Sequence, residues 1–393
     1  MSLISSRGPG SKASGGSGLS SSSCGASFGP STGMAASVVI GQPTMTANSA
    51  NQGGSPSAQT LDTPDGVSWL STGQLIIGEY GNNRYLVYNN VPETNNSPAD
   101  WVWGQPNFST VTLNTGGLSA TSLAKGRNVA WNGAQFFMSD MDNNRVLVFN
   151  SIPTSSLQAP AYVIGQPNFT SNAGNNGGIS ANTLASGFGS VSADNGYLIV
   201  TDPSGNLRTL IYRLPITSNM PAADLVLGQP NMTSNSWIHP PTASLTDEPT
   251  GAIISNGKLL IPDRNNNRVL IYNSIPSSNG SPADVVIGHN DFISDSSGAG
   301  ANQLAQPHSV AVDSSGRLYI ADTLNNRILV YNSIPTSNGA SANYVIGQPD
   351  MSSSSVNQGG SASAYTLNRP TLVDVNDCHL FVVDQQNHRV LIY

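Results

Sequence analysis

The sequence predicts an all-β fold, a six-bladed β-propeller, from three observations. A Gly-Gln-Pro string recurs at Gly41, Gly104, Gly165, Gly228 and Gly347, with a degenerate copy at Gly288. An Asn-Asn-Arg string or a near variant ends at Arg84, Arg145, Arg208, Arg268, Arg327 and Arg389. Short apolar runs alternate with turn residues between these landmarks, and no helical period is present. Two landmarks that stay in step six times indicate a true internal repeat.

Each repeat unit predicts four short strands. In the fifth unit, the first three strands cover residues 307–313, 318–322 and 328–331, with polar turns between them. An apolar run that ends in Gly-Gln-Pro supplies the fourth strand. Four-stranded antiparallel units that repeat around a ring are typical of a propeller. One blade is too small to bury its own faces, so neighbouring blades must cover them.

The two ends of the repeat array predict how the ring closes. The array begins with a lone outer strand and ends at Tyr393 with a third strand that nothing follows. We therefore predict that residues 38–43 pair antiparallel with residues 389–393 and complete the last blade. The predicted propeller covers residues 37–393. Residues 1–36 contain 12 Ser and 8 Gly, which predicts a flexible extension.

The repeat resembles the NHL-repeat family of six-bladed propellers. The residues that carry the resemblance are 310–331, which read VAVDSSGRLYIADTLNNRILVY, and 384–393, which read DQQNHRVLIY. The resemblance spans residues 38–393, although the units here are longer than the usual family repeat. It implies the fold but no particular function, because the family includes enzymes, receptor sensors, RNA binders and scaffolds.

The composition excludes several classes of function. Charged residues make up 9% of the chain, against roughly 25% in an average soluble protein, and the net charge is −7 with only three lysines. Nucleic-acid binding needs clustered basic groups, so we predict no nucleic-acid partner. The longest apolar runs are about five residues, far below the roughly 20 that a membrane helix needs. The N-terminus has no recognisable signal peptide.

One repeated acidic residue precedes each repeated arginine by a few positions. These residues are Glu79, Asp140, Asp202, Asp263, Asp322 and Asp384. They could line a metal-binding ring, or they could accept turn N–H groups and pair with the arginines. Because all six blades carry the acid, we favour the structural interpretation. A binding site requires positions that differ between blades.

Such positions occur at the start of the inner strands, at one mouth of the central channel. In blade order they are Asp65, Arg127, Gly189, Thr250, His308 and Thr371. In amidating-lyase members of the family, histidines at such positions hold a catalytic zinc, and only His308 matches. We predict no catalytic residue, metal or cofactor. Asp65, Arg127 and His308 form a predicted ligand-binding site, unless they merely solvate the rim.

Two further features stand outside the repeat pattern. Trp237 lies in a Pro-rich insertion that breaks the pattern, which predicts an exposed contact residue. Cys24 and Cys378 are the only cysteines. They could form a disulfide that anchors the N-terminal extension, or they could be unpaired thiols.

Three functional hypotheses follow. The first is a non-enzymatic scaffold or binding protein, extracellular or on the cell surface, that binds a protein partner or self-associates as a subunit of a surface assembly or filament. The low charge supports it, because little repulsion opposes the packing of like subunits. The second is a glycan-binding module at Trp237 or the channel mouth. The third is a metal-dependent lyase or lactonase-type propeller enzyme.

Overall fold

The computed structural model describes residues 28–185, 189–194 and 196–393. These residues form 24 strands in six four-stranded antiparallel sheets, which are the six blades of the predicted propeller. The described residues contain no helix that is long and apolar enough to cross a membrane.

The first three blades follow one another along the chain. Blade 1 contains β2 Pro64–Trp69, β3 Leu75–Glu79, β4 Arg84–Tyr88 and β5 Trp101–Trp103. Blade 2 contains β6 Val129–Trp131, β7 Phe136–Asp140, β8 Arg145–Phe149 and β9 Tyr162–Ile164. Blade 3 contains β10 Val191–Asp194, β11 Tyr197–Asp202, β12 Arg208–Arg213 and β13 Leu225–Leu227.

The remaining blades continue the ring. Blade 4 contains β14 Ile253–Ser255, β15 Lys258–Asp263, β16 Arg268–Tyr272 and β17 Val285–Ile287. Blade 5 contains β18 Pro307–Val312, β19 Leu318–Asp322, β20 Arg327–Tyr331 and β21 Tyr344–Ile346. Blade 6 contains β22 Pro370–Val375, β23 Leu380–Asp384, β24 Arg389–Ile392 and β1 Val38–Ile40. Short 3₁₀ turns connect some of these elements at Ala50–Gly53, Met141–Asn143, Gly174–Gly177, Thr323–Asn325, Val356–Gly359 and Gln385–Asn387.

Chain closure occurs as the sequence predicts. Val38 pairs with Ile392, Val39 with Leu391 and Ile40 with Val390, all antiparallel. The strand ends at Ile40, before the end of the predicted range, because Gly41 takes a left-handed backbone angle (φ 89°). A Cβ atom at Gly41 would also lie 2.4 Å from the Leu61 side chain, so only glycine fits there.

The apolar core lies between blades. Six clusters of buried apolar residues each join two neighbouring blades around the ring. In one of them, Leu75 and Ile77 of blade 1 pack with Phe381 and Val383 of blade 6. Each blade therefore depends on its neighbours to bury its faces, as expected for a fold built from small units.

The repeated acid–arginine pairs are structural. In blade 2, Arg145 Nε donates to Asp140 Oδ2 at 2.6 Å, and the Ala124 N–H donates to Asp140 Oδ1 at 2.8 Å. Arg145 Nη2 donates to the carbonyl groups of Ser119 and Ser122. Equivalent fully buried pairs occur at Arg84–Glu79, Arg208–Asp202, Arg268–Asp263, Arg327–Asp322 and Arg389–Asp384. The arginines satisfy loop carbonyls that would otherwise be buried without partners.

Residues before the predicted propeller boundary also pack on the ring. Phe28 is buried in the cluster between blades 5 and 6, with its ring centroid 6.2 Å from that of Tyr319. Arg317 Nη2 donates to the Phe28 carbonyl at 2.7 Å, and the Ala36 N–H donates to the Ala364 carbonyl at 2.9 Å. The packed part of the chain therefore begins before residue 37.

Candidate functional site

The structure brings Asp65, Arg127 and His308 together, although they come from blades 1, 2 and 5. Arg127 Nε lies 3.5 Å from Asp65 Oδ2, and Arg127 Nη2 lies 3.0 Å from His308 Nε2. His308 Nδ1 lies 3.2 Å from the Thr371 carbonyl of blade 6. Arg127 Nη2 also lies 2.5 Å from His308 Nδ1, so the neutral imidazole accepts from Arg127 at whichever ring nitrogen carries no proton. We call these three residues the channel triad.

Arg127 extends across the central channel. Its Nη1 donates to the Gly189 carbonyl of blade 3 at 3.1 Å, in addition to its contacts with blades 1 and 5. The backbone of Arg127 packs directly against Gly66 of blade 1. Only glycine allows this close approach, because a Cβ atom at residue 66 would lie 1.5 Å from the Arg127 carbonyl oxygen. One arginine thus links four blades around the channel axis.

Burial controls the protonation of the channel triad. Asp65 is 5% exposed and Arg127 is 2% exposed, so they are not solvated rim residues. Burial raises the pKa of Asp65, and Arg127 partly opposes that rise. Burial also lowers the pKa of Arg127. Burial, followed by the nearby Arg127 charge, holds the pKa of His308 well below its usual value, which leaves a neutral imidazole at neutral pH.

A cavity of about 290 Å³ lies beside the channel triad, and we call it the polar mouth. Its lining consists of Thr63, Asp65, Tyr80, Arg264, His308, Thr323, Arg369, Thr371 and Gln385. Arg264 Nη1 pairs with Glu248 Oε2 at 2.6 Å. The buried Thr371 hydroxyl lies close enough to Asp65 to lower its pKa, but it makes no hydrogen bond of ordinary geometry.

The sequence analysis missed several residues of the polar mouth, although a signal for them exists. Four lining residues, namely Tyr80, Arg264, Thr323 and Gln385, each directly follow one of the repeated acids. The acid is buried and paired, so the next residue turns toward the channel mouth. That position differs between blades, which is the asymmetry that a site requires.

A second cavity, of about 340 Å³, lies along the channel, and we call it the channel cavity. Residues of all six inner strands line it. Its lining is mostly small and apolar but includes Trp69, Trp131 and Asp374. Asp374 Oδ2 accepts the Trp69 N–H at 2.6 Å, and Asp374 Oδ1 accepts the Val375 N–H at 2.8 Å. The sequence analysis did not identify these residues.

Trp237 is exposed, as the sequence predicts, with 64% of its surface accessible. It is nevertheless held in place. Its Nε1 donates to Asp247 Oδ2 at 3.0 Å, and its ring stacks on His239 with 6.1 Å between centroids. His239 Nδ1 in turn lies 2.9 Å from Asp295 Oδ2. The exposed indole is therefore presented in one orientation.

The other predicted site features are only partly described. Cys24 lies outside the described residues, so its pairing with Cys378 stays a prediction. The Cys378 N–H donates to Asn376 Oδ1 at 2.8 Å in the turn before β23. Within the described ranges, no group of three or more His, Cys, Asp or Glu side chains could hold a metal ion.

A comparison with protein families adds sequence evidence to the architecture. Residues 304–331, which include most of blade 5, match the family model of the NHL repeat. This match is consistent with the six-bladed ring, because the matched residues form most of one blade. The chain is a six-bladed propeller in which blade 5 matches the NHL repeat. Propellers commonly mediate protein interactions, so at a general level the fold supports a protein-binding scaffold.

Solved structures are similar to this propeller at low sequence identity. A structural genomics protein of unknown function from Bacteroides thetaiotaomicron is 13% identical with a TM-score of 0.52, over 90% of this chain and 74% of its own. A catalytically inactive virginiamycin B lyase from Staphylococcus aureus, solved with quinupristin, is 12% identical with a TM-score of 0.42, over 84% of this chain and 94% of its own. No curated protein matches the sequence significantly.

Proposed function

We propose that this propeller is a non-enzymatic scaffold outside the cell that assembles with further copies of itself through the face that carries Trp237. The observation that carries the proposal is an exposed tryptophan held in one orientation by Asp247 and His239. A rigid aromatic side chain loses little entropy on binding, and tryptophan is enriched among the residues that dominate interface energy.

The surroundings of Trp237 support a contact surface. Ile238, the next residue in the chain, is 50% exposed, and Ile293, two residues before the Asp295 that contacts His239, is 62% exposed. Exposed large apolar side chains on one surface are typical of a site of interaction. Charged residues make up only 9% of the chain, so little electrostatic repulsion opposes contact between identical copies.

Sedimentation velocity of the full chain over a range of concentrations tests this proposal. We expect oligomers that dissociate in Trp237→Ala and persist in the control Leu157→Ala, which removes an exposed apolar side chain of a different blade. A chain that stays monomeric at every concentration, or oligomers that survive Trp237→Ala, would contradict assembly through this face. Antibody staining of intact, unpermeabilised cells tests the location, and the absence of surface signal would contradict it.

A glycan-binding module is the second candidate, and one observation favours it. Trp237 Nε1 donates to Asp247 Oδ2, and the Trp237 ring stacks on His239, whose Nδ1 lies 2.9 Å from Asp295 Oδ2. An apolar ring face with nearby hydrogen-bond acceptors suits a sugar, which presents C–H groups on one side and hydroxyl groups around its edge. Binding of the full chain to a glycan array, lost in Trp237→Ala, supports this candidate. Glycan binding that survives Trp237→Ala excludes this site.

The described residues offer less support for a metal-dependent lyase or lactonase. His308, which matches the lyase pattern, contacts Arg127 and the Thr371 carbonyl rather than other histidines or carboxylates. An arginine within hydrogen-bond distance of an imidazole disfavours a cation at the same nitrogen. We therefore place this function below the other two.

A further inference from the structure

The channel cavity contains one unneutralised charge. Asp374 is the only titratable side chain among the described residues that line it. Its two oxygens accept backbone N–H groups of Trp69 and Val375, and neither donor carries a charge. The six repeated acids, by contrast, each have a buried arginine partner. Asp374 therefore differs from every other inward-facing acid of the repeat pattern.

The protonation of Asp374 reflects this environment. Burial raises the pKa of its carboxyl group to about 6, and only the two backbone N–H groups oppose the rise. No charged side chain contributes to its pKa. At neutral pH the group is still mostly ionised, so the channel cavity holds a carboxylate with no cation of its own.

Two tryptophans lie on the blades next to this carboxylate. Trp69 belongs to β2, and its own N–H contacts Asp374 of β22. Trp131 belongs to β6 of the following blade, which is joined to β2 by hydrogen bonds between the Ser68 hydroxyl and the Val129 backbone. Blades 6, 1 and 2 thus bring Asp374, Trp69 and Trp131 to the lining of the same cavity, and each tryptophan also packs against an apolar cluster between blades. A cation is attracted both to a carboxylate and to the face of an indole ring.

We propose that the channel cavity binds an organic ammonium ion, with Asp374 as the counter-charge and Trp69 and Trp131 as the aromatic wall. A volume of about 340 Å³ accommodates a small amine, at the lower end of the roughly 300–1,000 Å³ found for ligand pockets. A metal ion such as calcium fits less well. Calcium takes six to eight oxygen ligands, and the lining of the channel cavity supplies one carboxylate. The site is separate from the Trp237 surface and does not depend on the proposed assembly.

Isothermal titration of the full chain with choline, and with its uncharged isostere 3,3-dimethylbutan-1-ol, tests the proposal at pH 8 and low salt. We expect choline to bind at least tenfold more tightly than the isostere. Asp374→Asn keeps an acceptor for the Trp69 N–H but removes the charge, and it should abolish that preference. The matched control is Asp284→Asn, because Asp284 also accepts a backbone N–H, that of Asn273 at 2.7 Å, on the exposed outer side of blade 4.

Two further measurements keep the test decisive if Asp374→Asn fails to fold. Choline affinity of the unaltered chain should fall as the pH is lowered through about 6, because protonation of Asp374 removes the charge, while affinity for the isostere stays constant. Trp131→Leu should weaken choline binding several-fold. Equal affinity for choline and the isostere, no choline binding at millimolar concentration, or a choline preference that survives Asp374→Asn would each overturn the proposal.

Discussion

The polar mouth and the channel cavity bury charge in opposite ways. At the polar mouth, Asp65 and His308 both contact Arg127, and the arginine also donates to a carbonyl of a third blade. In the channel cavity, Asp374 contacts only neutral backbone donors. The first arrangement satisfies its charges internally, whereas the second leaves a carboxylate without a counter-ion.

This difference distinguishes charges that stabilise the fold from a charge that is free to bind a ligand. A buried charge that is paired and hydrogen-bonded contributes to a unique structure, and removing its partner is costly. A buried charge without a partner weakens the fold, and it is the group that a ligand of opposite charge can neutralise. The sequence analysis singled out the channel triad because it varies between blades, yet one of its members, Arg127, acts mainly as a bridge.

Breaking the channel triad should have the largest effect. Arg127→Met leaves Asp65 buried without a counter-charge and removes links to three other blades, so we expect a loss of about 3–5 kcal/mol in the free energy of unfolding. Urea denaturation measures it. Arg213→Met, which removes an exposed arginine, should change stability by less than about 0.5 kcal/mol. Equal effects of the two variants would contradict the structural role of Arg127.

The close approach of Arg127 to blade 1 should be the next most sensitive feature. Gly66→Ala places a Cβ atom against the Arg127 carbonyl, and overpacking of this kind costs about 1–3 kcal/mol or more. Gly54→Ala is the matched control, because its Cβ would lie 3.7 Å from the nearest atom, the Asn51 carbonyl oxygen. Thermal unfolding compares them. A Gly66→Ala chain as stable as the unaltered protein would show that the blades can separate freely here.

The unpaired carboxylate of Asp374 should lower the stability of the folded protein when it is ionised, whereas the paired charges of the channel triad raise it. Its pKa is raised in the folded state to about 6, so the folded protein binds the proton more tightly than the unfolded chain does. Stability from this group is therefore greatest below about pH 4 and falls as the pH rises to about 6. Asp374→Asn removes the charge but leaves one of the two backbone N–H groups without an acceptor, so the informative quantity is the pH dependence: between pH 4 and pH 8 the variant should gain about 1–2 kcal/mol of stability relative to the unaltered chain, after allowance for partial exposure.

Chemical denaturation at pH 4, 6 and 8 measures the stability difference between Asp374→Asn and the unaltered chain. Because the other acidic residues are the same in both chains, the difference reports the contribution of Asp374 alone between pH 4 and pH 8. A stability difference between the two chains that stays the same from pH 4 to pH 8 would contradict the view that this carboxylate is uncompensated.

Substitution of two threonines of the polar mouth should give the smallest changes in stability. The two differ in whether the side-chain hydroxyl makes a hydrogen bond. Thr323 Oγ1 donates to the Pro370 carbonyl at 2.7 Å, whereas Thr371 Oγ1 has no ordinary hydrogen bond. Thr323→Val should cost about 1 kcal/mol, and Thr371→Val should be nearly neutral. Urea denaturation of both variants checks this. A larger loss for Thr371→Val would show that its hydroxyl has a partner within the protein.

Much of the fold could be predicted because the same pattern of strands and turns occurs six times in the sequence. The spacing of Gly-Gln-Pro and Asn-Asn-Arg marks the blades, and the incomplete ends of the array predict closure, which β1 and β24 confirm. The structural role of the repeated acids was also predictable, since a group present in every blade cannot define a single site. Where the packed chain begins was not, because the burial of Phe28 depends on a surface formed near Tyr319.

The sequence by itself determined the blade number, the closing strand, the exposure of Trp237 and the choice of Asp65, Arg127 and His308 as unusual positions. Only the tertiary structure decided that these three meet, since blade 5 is not a neighbour of blades 1 and 2 and reaches them solely across the channel axis. It alone decided that Arg127 neutralises Asp65 while Asp374 has no such partner. Local patterns report which face of a strand is buried, but the pairing of charges depends on distances between blades that are far apart in the chain.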